Sequence, residues 1–70
     1  MDIQLARTFL AVAAAGNFIG AAERLHITQS TVSARIKTLE QQLGTSLFRR
    51  GRGGAELTAP GKRFLRHAKT

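Results

Sequence analysis

The chain has 70 residues, of which 43% are apolar, with no cysteine and a net charge of +7. That length makes one small domain near the lower limit for folding without staples, and the lack of cysteine excludes disulfides and thiolate metal sites. The apolar share excludes a disordered tail, no run reaches membrane-spanning length, and no basic-then-apolar leader opens the chain, so a reducing, cytoplasmic setting is expected. The charge is lopsided. Residues 1–34 balance Arg7 and Arg24 against Asp2 and Glu23, whereas residues 35–70 set nine Lys and Arg against Glu40 and Glu56. A folded domain with this asymmetry presents a basic surface suited to a polyanion, though solubility alone also accounts for it.

The first predicted element is a helix over 3–15, with Ile3, Leu5, Ala6, Phe9, Leu10, Val12 and Ala13 on one broad side and Gln4, Arg7, Thr8 and Ala11 on the other. Gly16 is a C-terminal stop and Asn17 an N-cap for a second helix over 18–25, whose stripe is Phe18, Ala21, Ala22 and Leu25. After a short connection, Thr28 caps a third helix that buries Val32, Ile36, Leu39 and Leu43 and stops at Gly44. "SLFRRGRGGAELT" is a short apolar run, a Gly-rich basic turn and a second short run, which reads as a β-hairpin. Thr58 can cap a fourth helix with Pro60 in its first turn, carrying a sparse apolar stripe of Phe64, Leu65 and Ala68.

Two helices joined by about three residues, with a hairpin behind them, are a winged helix-turn-helix: mainly α, with a three-helix core, a short β-hairpin wing and a C-terminal linker helix. The third helix is unusual on its outer side. Gln29, Ser30, Thr31, Ser33, Ala34 and Lys37 stand there instead of Glu and Lys pairs. Short hydroxyls and an amide can hydrogen-bond to base edges in a major groove, where acids would be repelled by phosphate. Helical projection puts Ser30, Ala34, Lys37 and Gln41 opposite the core stripe, with Thr31 and Ser33 flanking. Gln29 lies nearer the buried side by angle but, as the first helical residue, can reach forward.

Spaced motifs run through the whole chain: Ala21-Ala22 with Leu25, Thr28-Gln29-Ser30, Val32-Ser33, Leu39-Glu40, Leu43-Gly44, Leu47-Phe48 and Leu57-Thr58. In this order they resemble the N-terminal domain of LysR-type transcriptional regulators. The resemblance implies sequence-specific binding of double-stranded DNA in bacterial transcription regulation. Each recognition helix would enter the major groove and each wing lie near the minor groove, over an interrupted palindrome. It further implies a homodimer formed through the fourth helix, and a larger effector-binding domain that is absent from this chain, which would then be a fragment of a longer regulator. The expected division is 1–57 for the DNA-binding domain and 58–70 for the start of the linker helix. Two departures stand out. Many members carry Arg after the serine at position 33, where this chain has Ala34 and then Arg35; on the helix flank, Arg35 suits phosphate better than a base. The linker helix opens Ala59-Pro60-Gly61-Lys62 without a capping box, which predicts a less firmly anchored first turn.

The expected site follows: Gln29, Ser30 and Ser33 for bases; Thr28, Thr31, Arg35, Lys37, Arg49, Arg50 and Arg52 for backbone or groove; Phe64, Leu65 and Ala68 for the dimer. Each has a plainer reading. The polar first turn could be merely solvated, Lys37 a surface lysine, and the arginines a solubility run. Among the arginines, Arg52, between Gly51 and Gly53, is best placed to enter a narrow A·T minor groove. Glu40 reads as a structural ion-pair or solvated residue, His26 as a packed turn residue and His67 as exposed. No cofactor or metal is expected, and an enzyme is not: there are only four acids, none paired in sequence with a second acid or a histidine, and "GRGG" lacks the P-loop pattern. A protein adaptor does not need the concentrated charge, an RNA binder would show exposed aromatics, and a membrane binder would leave its apolar side chains without a core. The expected core is Leu5, Phe9, Val12, Ala21, Leu25, Val32, Ile36, Leu39, Leu43, Leu47, Phe48 and Leu57.

Overall fold

The computed structural model describes residues 2–69; Met1 and Thr70, the outer limits of the two expected segments, lie outside the described residues. Three helices lead: α1 (Ile3–Ala15), α2 (Phe18–Leu25) and α3 (Gln29–Leu43). The antiparallel hairpin β1 (Phe48–Gly51) and β2 (Gly54–Leu57) follows, and α4 (Ala59–Ala68) ends the fold. The caps explain these limits. Asp2, Asn17, Thr28 and Thr58 each accept a backbone N–H of the first turn from an extended conformation. Gly16 and Gly44 close α1 and α3 in the left-handed region, which a residue without Cβ enters at no steric cost.

α1, α2 and α3 pack around a core of Leu5, Phe9, Val12, Phe18, Ala21, Ala22, Val32, Ile36 and Leu39, closed from the wing side by Leu47 and Phe48. All four aromatic side chains of the protein form one chain through it. Phe64 of α4 meets Phe9 edge-on at 4.8 Å, Phe9 meets Phe48 at 5.2 Å, and Phe48 meets Phe18 at 6.2 Å. Such tilted and edge-to-face pairs are the favoured aromatic geometries.

The expected core needs correction at several places. Leu43, at the end of α3, is 40% exposed; Ile3, on the apolar side of α1 but outside the expected core, is 73% exposed at the start of its helix. Leu25 and Leu57 are half-buried, and Phe18 and Ala22 are core. Thr8, projected to the outer side of α1, is fully buried; its hydroxyl donates to the Gln4 carbonyl at 2.8 Å, so nothing polar is left wanting. His26 is exposed rather than packed. Its backbone ends α2 at φ 57, and its N–H reaches back to the carbonyls of Ala22 and Glu23.

Three hydrogen bonds, two between backbone groups and one from a side chain, fix the wing. The Ala55 N–H donates to the Gly16 carbonyl at 2.9 Å, tying β2 to the α1–α2 turn; a Cβ on Gly54 would collide with that same carbonyl. The Thr58 N–H donates to the Leu47 carbonyl at 3.0 Å, and the Thr58 hydroxyl donates to the Ser46 carbonyl at 2.6 Å. The first turn of α4 is thereby firmly held without a capping box, contrary to the expectation from its sequence. Gly61 is buried in that turn directly against the Leu47 carbonyl.

Gly61→Ala should therefore destabilise the domain despite the better helix propensity of alanine. The added methyl has nowhere to go, and overpacking of this kind costs roughly 1–3 kcal/mol. Equilibrium urea unfolding measures it; a variant as stable as the parent or more so would show that α4 is free to shift off Leu47.

Candidate nucleic-acid interface

The N-terminal turn of α3 is held by a hydroxyl cluster. The Thr28 hydroxyl oxygen accepts the Thr31 N–H at 3.1 Å and lies 2.8 Å from the Thr31 hydroxyl and 3.2 Å from that of Ser30. Much of the capacity of Thr28 and Thr31 is thus spent within the turn. Gln29 and Ser30 are exposed. Gln29 faces the wing across a groove that it lines with Asn17, Phe18, Ile19, Arg50 and the wing glycines. Although its helical angle points toward the buried side, Gln29 is exposed in the first turn of α3.

Ser33, Lys37 and Arg50 line a second concavity, floored by Phe18, Ile36 and Phe48. Here the structure departs from the simple picture of a wing of outward arginines. Strand residues alternate between faces, so Phe48 and Arg50 share one side of β1 and Arg49 the other. Phe48 is core, which turns Arg50 inward toward α3. Its guanidinium carbon stands 3.7 Å from the centroid of the Phe18 ring, and Nη2 donates to the Ser33 hydroxyl oxygen at 3.0 Å. A cation over an aromatic face at an exposed site contributes about 0.5–1 kcal/mol. Arg49 is directly across the hairpin from Glu56, which offsets its charge. Arg52 occupies the exposed two-residue tip with Gly53, whose φ of +83° suits glycine. Arg35 is half-buried on the flank, in a groove with Gln4 and Arg7 that is separate from the other two.

Glu40 is the residue that sequence reasoning misjudged most. One carboxylate oxygen, Oε2, accepts the Leu47 N–H at 2.7 Å, the Phe48 N–H at 3.3 Å and the Ser46 hydroxyl at 3.4 Å. It thus binds the start of the wing to the recognition helix. The signal was present, since Glu40 is one of only two acids in the basic half and directly follows the core residue Leu39.

Phe64, Leu65 and Ala68 are half-buried on α4 and pack against the core, Phe64 through Phe9. Leu65 and Lys69 flank a groove shared with Leu10, Ala13 and Ala14 of α1. Among the described residues there is no cluster of His, Cys, Asp or Glu that could hold a metal, and no helix long and apolar enough to cross a membrane.

A helix-turn-helix with a polar recognition face and a basic wing packed against it matches, over residues 3–62, the family model of bacterial regulatory helix-turn-helix proteins of the lysR family. The chain belongs to that family. It is 50% identical over 70 residues to the HTH-type transcriptional regulator HdfR of Escherichia coli, covering all of this chain and 25% of that protein. It therefore spans about a quarter of the length of the curated relatives it matches. Among solved structures, it superposes on the DNA-binding domain of CbnR in complex with DNA with a TM-score of 0.95 at 42% identity, covering 99% of this chain and 79% of that one. The BenM DNA-binding domain on catB site 1 DNA gives 0.94 at 35% identity, with 99% and 78% covered. Full-length CbnR with its target DNA gives 0.95, with 24% of that chain covered. The relatives are regulators rather than enzymes, and the winged architecture read from the sequence is the one observed.

Proposed function

We propose that this lysR-family domain binds specific sites on double-stranded DNA in the bacterial cytoplasm, with α3 in the major groove and the hairpin tip at the minor groove. The observation that carries this reading is the joining of two features on one side, an acid-free polar turn on α3 and a wing packed against it, in a fold that superposes over 99% of the chain on the DNA complexes of CbnR and BenM. Gln29, Ser30 and Ser33 are assigned to base edges. The amide of Gln29 suits adenine, and the serines suit several bases. Thr28, Thr31, Arg35, Lys37, Arg49 and Arg52 are assigned to phosphates or the groove, with Arg50 adding its charge at the junction of helix and wing. Phosphate contacts position a protein, whereas base contacts specify the site.

The same reading makes residues 1–57 the DNA-binding unit and 58–70 the start of a linker helix, through which two copies pair over an interrupted palindrome. One recognition helix covers too few base pairs to define an operator, and two-fold pairing over spaced half-sites solves this. The apolar stripe of α4 is only half-buried by its own domain, which supports this helix as the contact. An effector ligand would belong to the part of the longer relatives that this chain does not span.

Affinity for a duplex should fall by about 0.9 log unit per log unit of salt for each phosphate neutralised. Fluorescence anisotropy across a salt series measures the slope, and affinity indifferent to salt would favour protein docking instead. Leu65→Glu should leave the fold intact by circular dichroism yet bind a palindrome no better than a half-site. Parent-like affinity for the palindrome would remove α4 from the dimer contact.

A further inference from the structure

We propose that Arg50 is a positioning residue for sequence reading: seated on Phe18, its guanidinium fixes Ser33 as a hydrogen-bond donor toward acceptor-bearing base edges, guanine above all. The proposal rests on the DNA-binding reading, and it moves Arg50 from the DNA backbone to the recognition helix.

Two contacts of different kinds hold the guanidinium. The ring of Phe18 supports its flat face at 3.7 Å, and the bond to Ser33 Oγ at 3.0 Å sets its edge. Strand alternation puts Arg50 on this side, because it shares a strand face with buried Phe48. Glu40 lines the same concavity, but its Oε2 is occupied by the amides of Leu47 and Phe48 and does not draw Arg50 away from Ser33.

The chemistry follows from the inventory of donors and acceptors. A serine hydroxyl has one O–H and two lone pairs, so on its own it reads donors and acceptors alike. A guanidinium has only donors. Their bond consumes one of the two lone pairs of Ser33, leaving its O–H free to donate and a single lone pair beside the guanidinium. The positive charge beside it disfavours the amino groups of adenine N6 and cytosine N4 and favours acceptors. Guanine alone shows two acceptors, N7 and O6, on its major-groove edge. The next residue, Ala34, is exposed and brings no polar side-chain atom, so recognition at this level of the helix falls to the Ser33–Arg50 pair. An ambiguous reader becomes a selective one because a strand supplies its second half.

The test is selection of duplexes from a random pool by the 70-residue chain, its Ser33→Ala, Arg50→Lys and Arg50→Ala variants, and the Ser33→Ala/Arg50→Lys double variant. Lysine keeps the charge but loses the flat fork that stacks and aims. Ser33→Ala and Arg50→Lys should relax the same base-pair position, each lowering guanine enrichment there by about tenfold. The double variant should relax it little further, a departure from additivity of roughly threefold or more. The salt slope of Arg50→Lys should equal that of the parent. In the DNA-free domain, Ser33→Ala should also move the Arg50 side-chain NMR resonances. The proposal is overturned if Arg50→Lys keeps the parent's base preference at every position. It is equally overturned if Arg50→Ala merely weakens binding to all sequences and lowers the salt slope by about one, the behaviour of a phosphate contact. A parent chain that enriches no sequence at all would overturn the DNA-binding reading itself, and this proposal with it.

Discussion

The carboxylate of Glu40 is the constraint on which the rest of the structure depends. Leu47 and Phe48 must enter the core with their backbone just after a helix end, where amide groups lack helical partners. Glu40 supplies the acceptor for both. A charged acceptor makes these bonds stronger than neutral ones, and losing it would strand two partly buried donors. Because Glu40 belongs to α3, the strand that it holds is registered against the recognition helix itself. The wing therefore has one position relative to the polar face, which is what a surface needs if it is to meet two grooves at once.

From that junction the geometry spreads in both directions. Phe48, once placed, touches Phe9 and Phe18, and Phe9 carries Phe64 of the linker helix. The backbone beside it holds Thr58 and packs against Gly61, so the start of α4 is set by the same few residues. Arg50, two positions beyond Phe48, inherits its inward direction and meets Phe18 and Ser33. One aromatic chain thus runs through α4, α1, the wing and α2, and α3 is joined to it through Arg50 and Ser33, so a shift at any of them would be felt at the others.

Most of the fold was legible in the sequence, for local reasons. Asn17, Thr28, Thr58, Gly16 and Gly44 are residue types whose capping or left-handed roles need no tertiary context, and they mark the end of α1, the start of α2, both ends of α3 and the start of α4, but not the end of α2. There the left-handed residue is His26, which carries no such signature. Helical projection gives directions but not extents, so Leu43 is expected in the core although it lies exposed at the end of α3. Projection puts Thr8 on the outer side of α1, yet it is buried, which a bond to its own helix backbone makes acceptable. At the candidate site, the exposed polar turn was visible, but the inward turn of Arg50 and the anchoring by Glu40 were not. Both depend on residues far apart in sequence, although strand alternation from Phe48 to Arg50 held the first clue.

The central claim is that α3 and the hairpin form one DNA-facing surface. It is tested most directly by titrating the labelled 70-residue chain with a duplex that it selects, and mapping the backbone amides that shift. The account predicts that the largest changes fall together on residues 28–37 and 49–54, while Leu5, Phe9 and Val12 of the α1 core face stay in place. Changes confined to α1 and α4, with α3 and the wing unmoved, would contradict it.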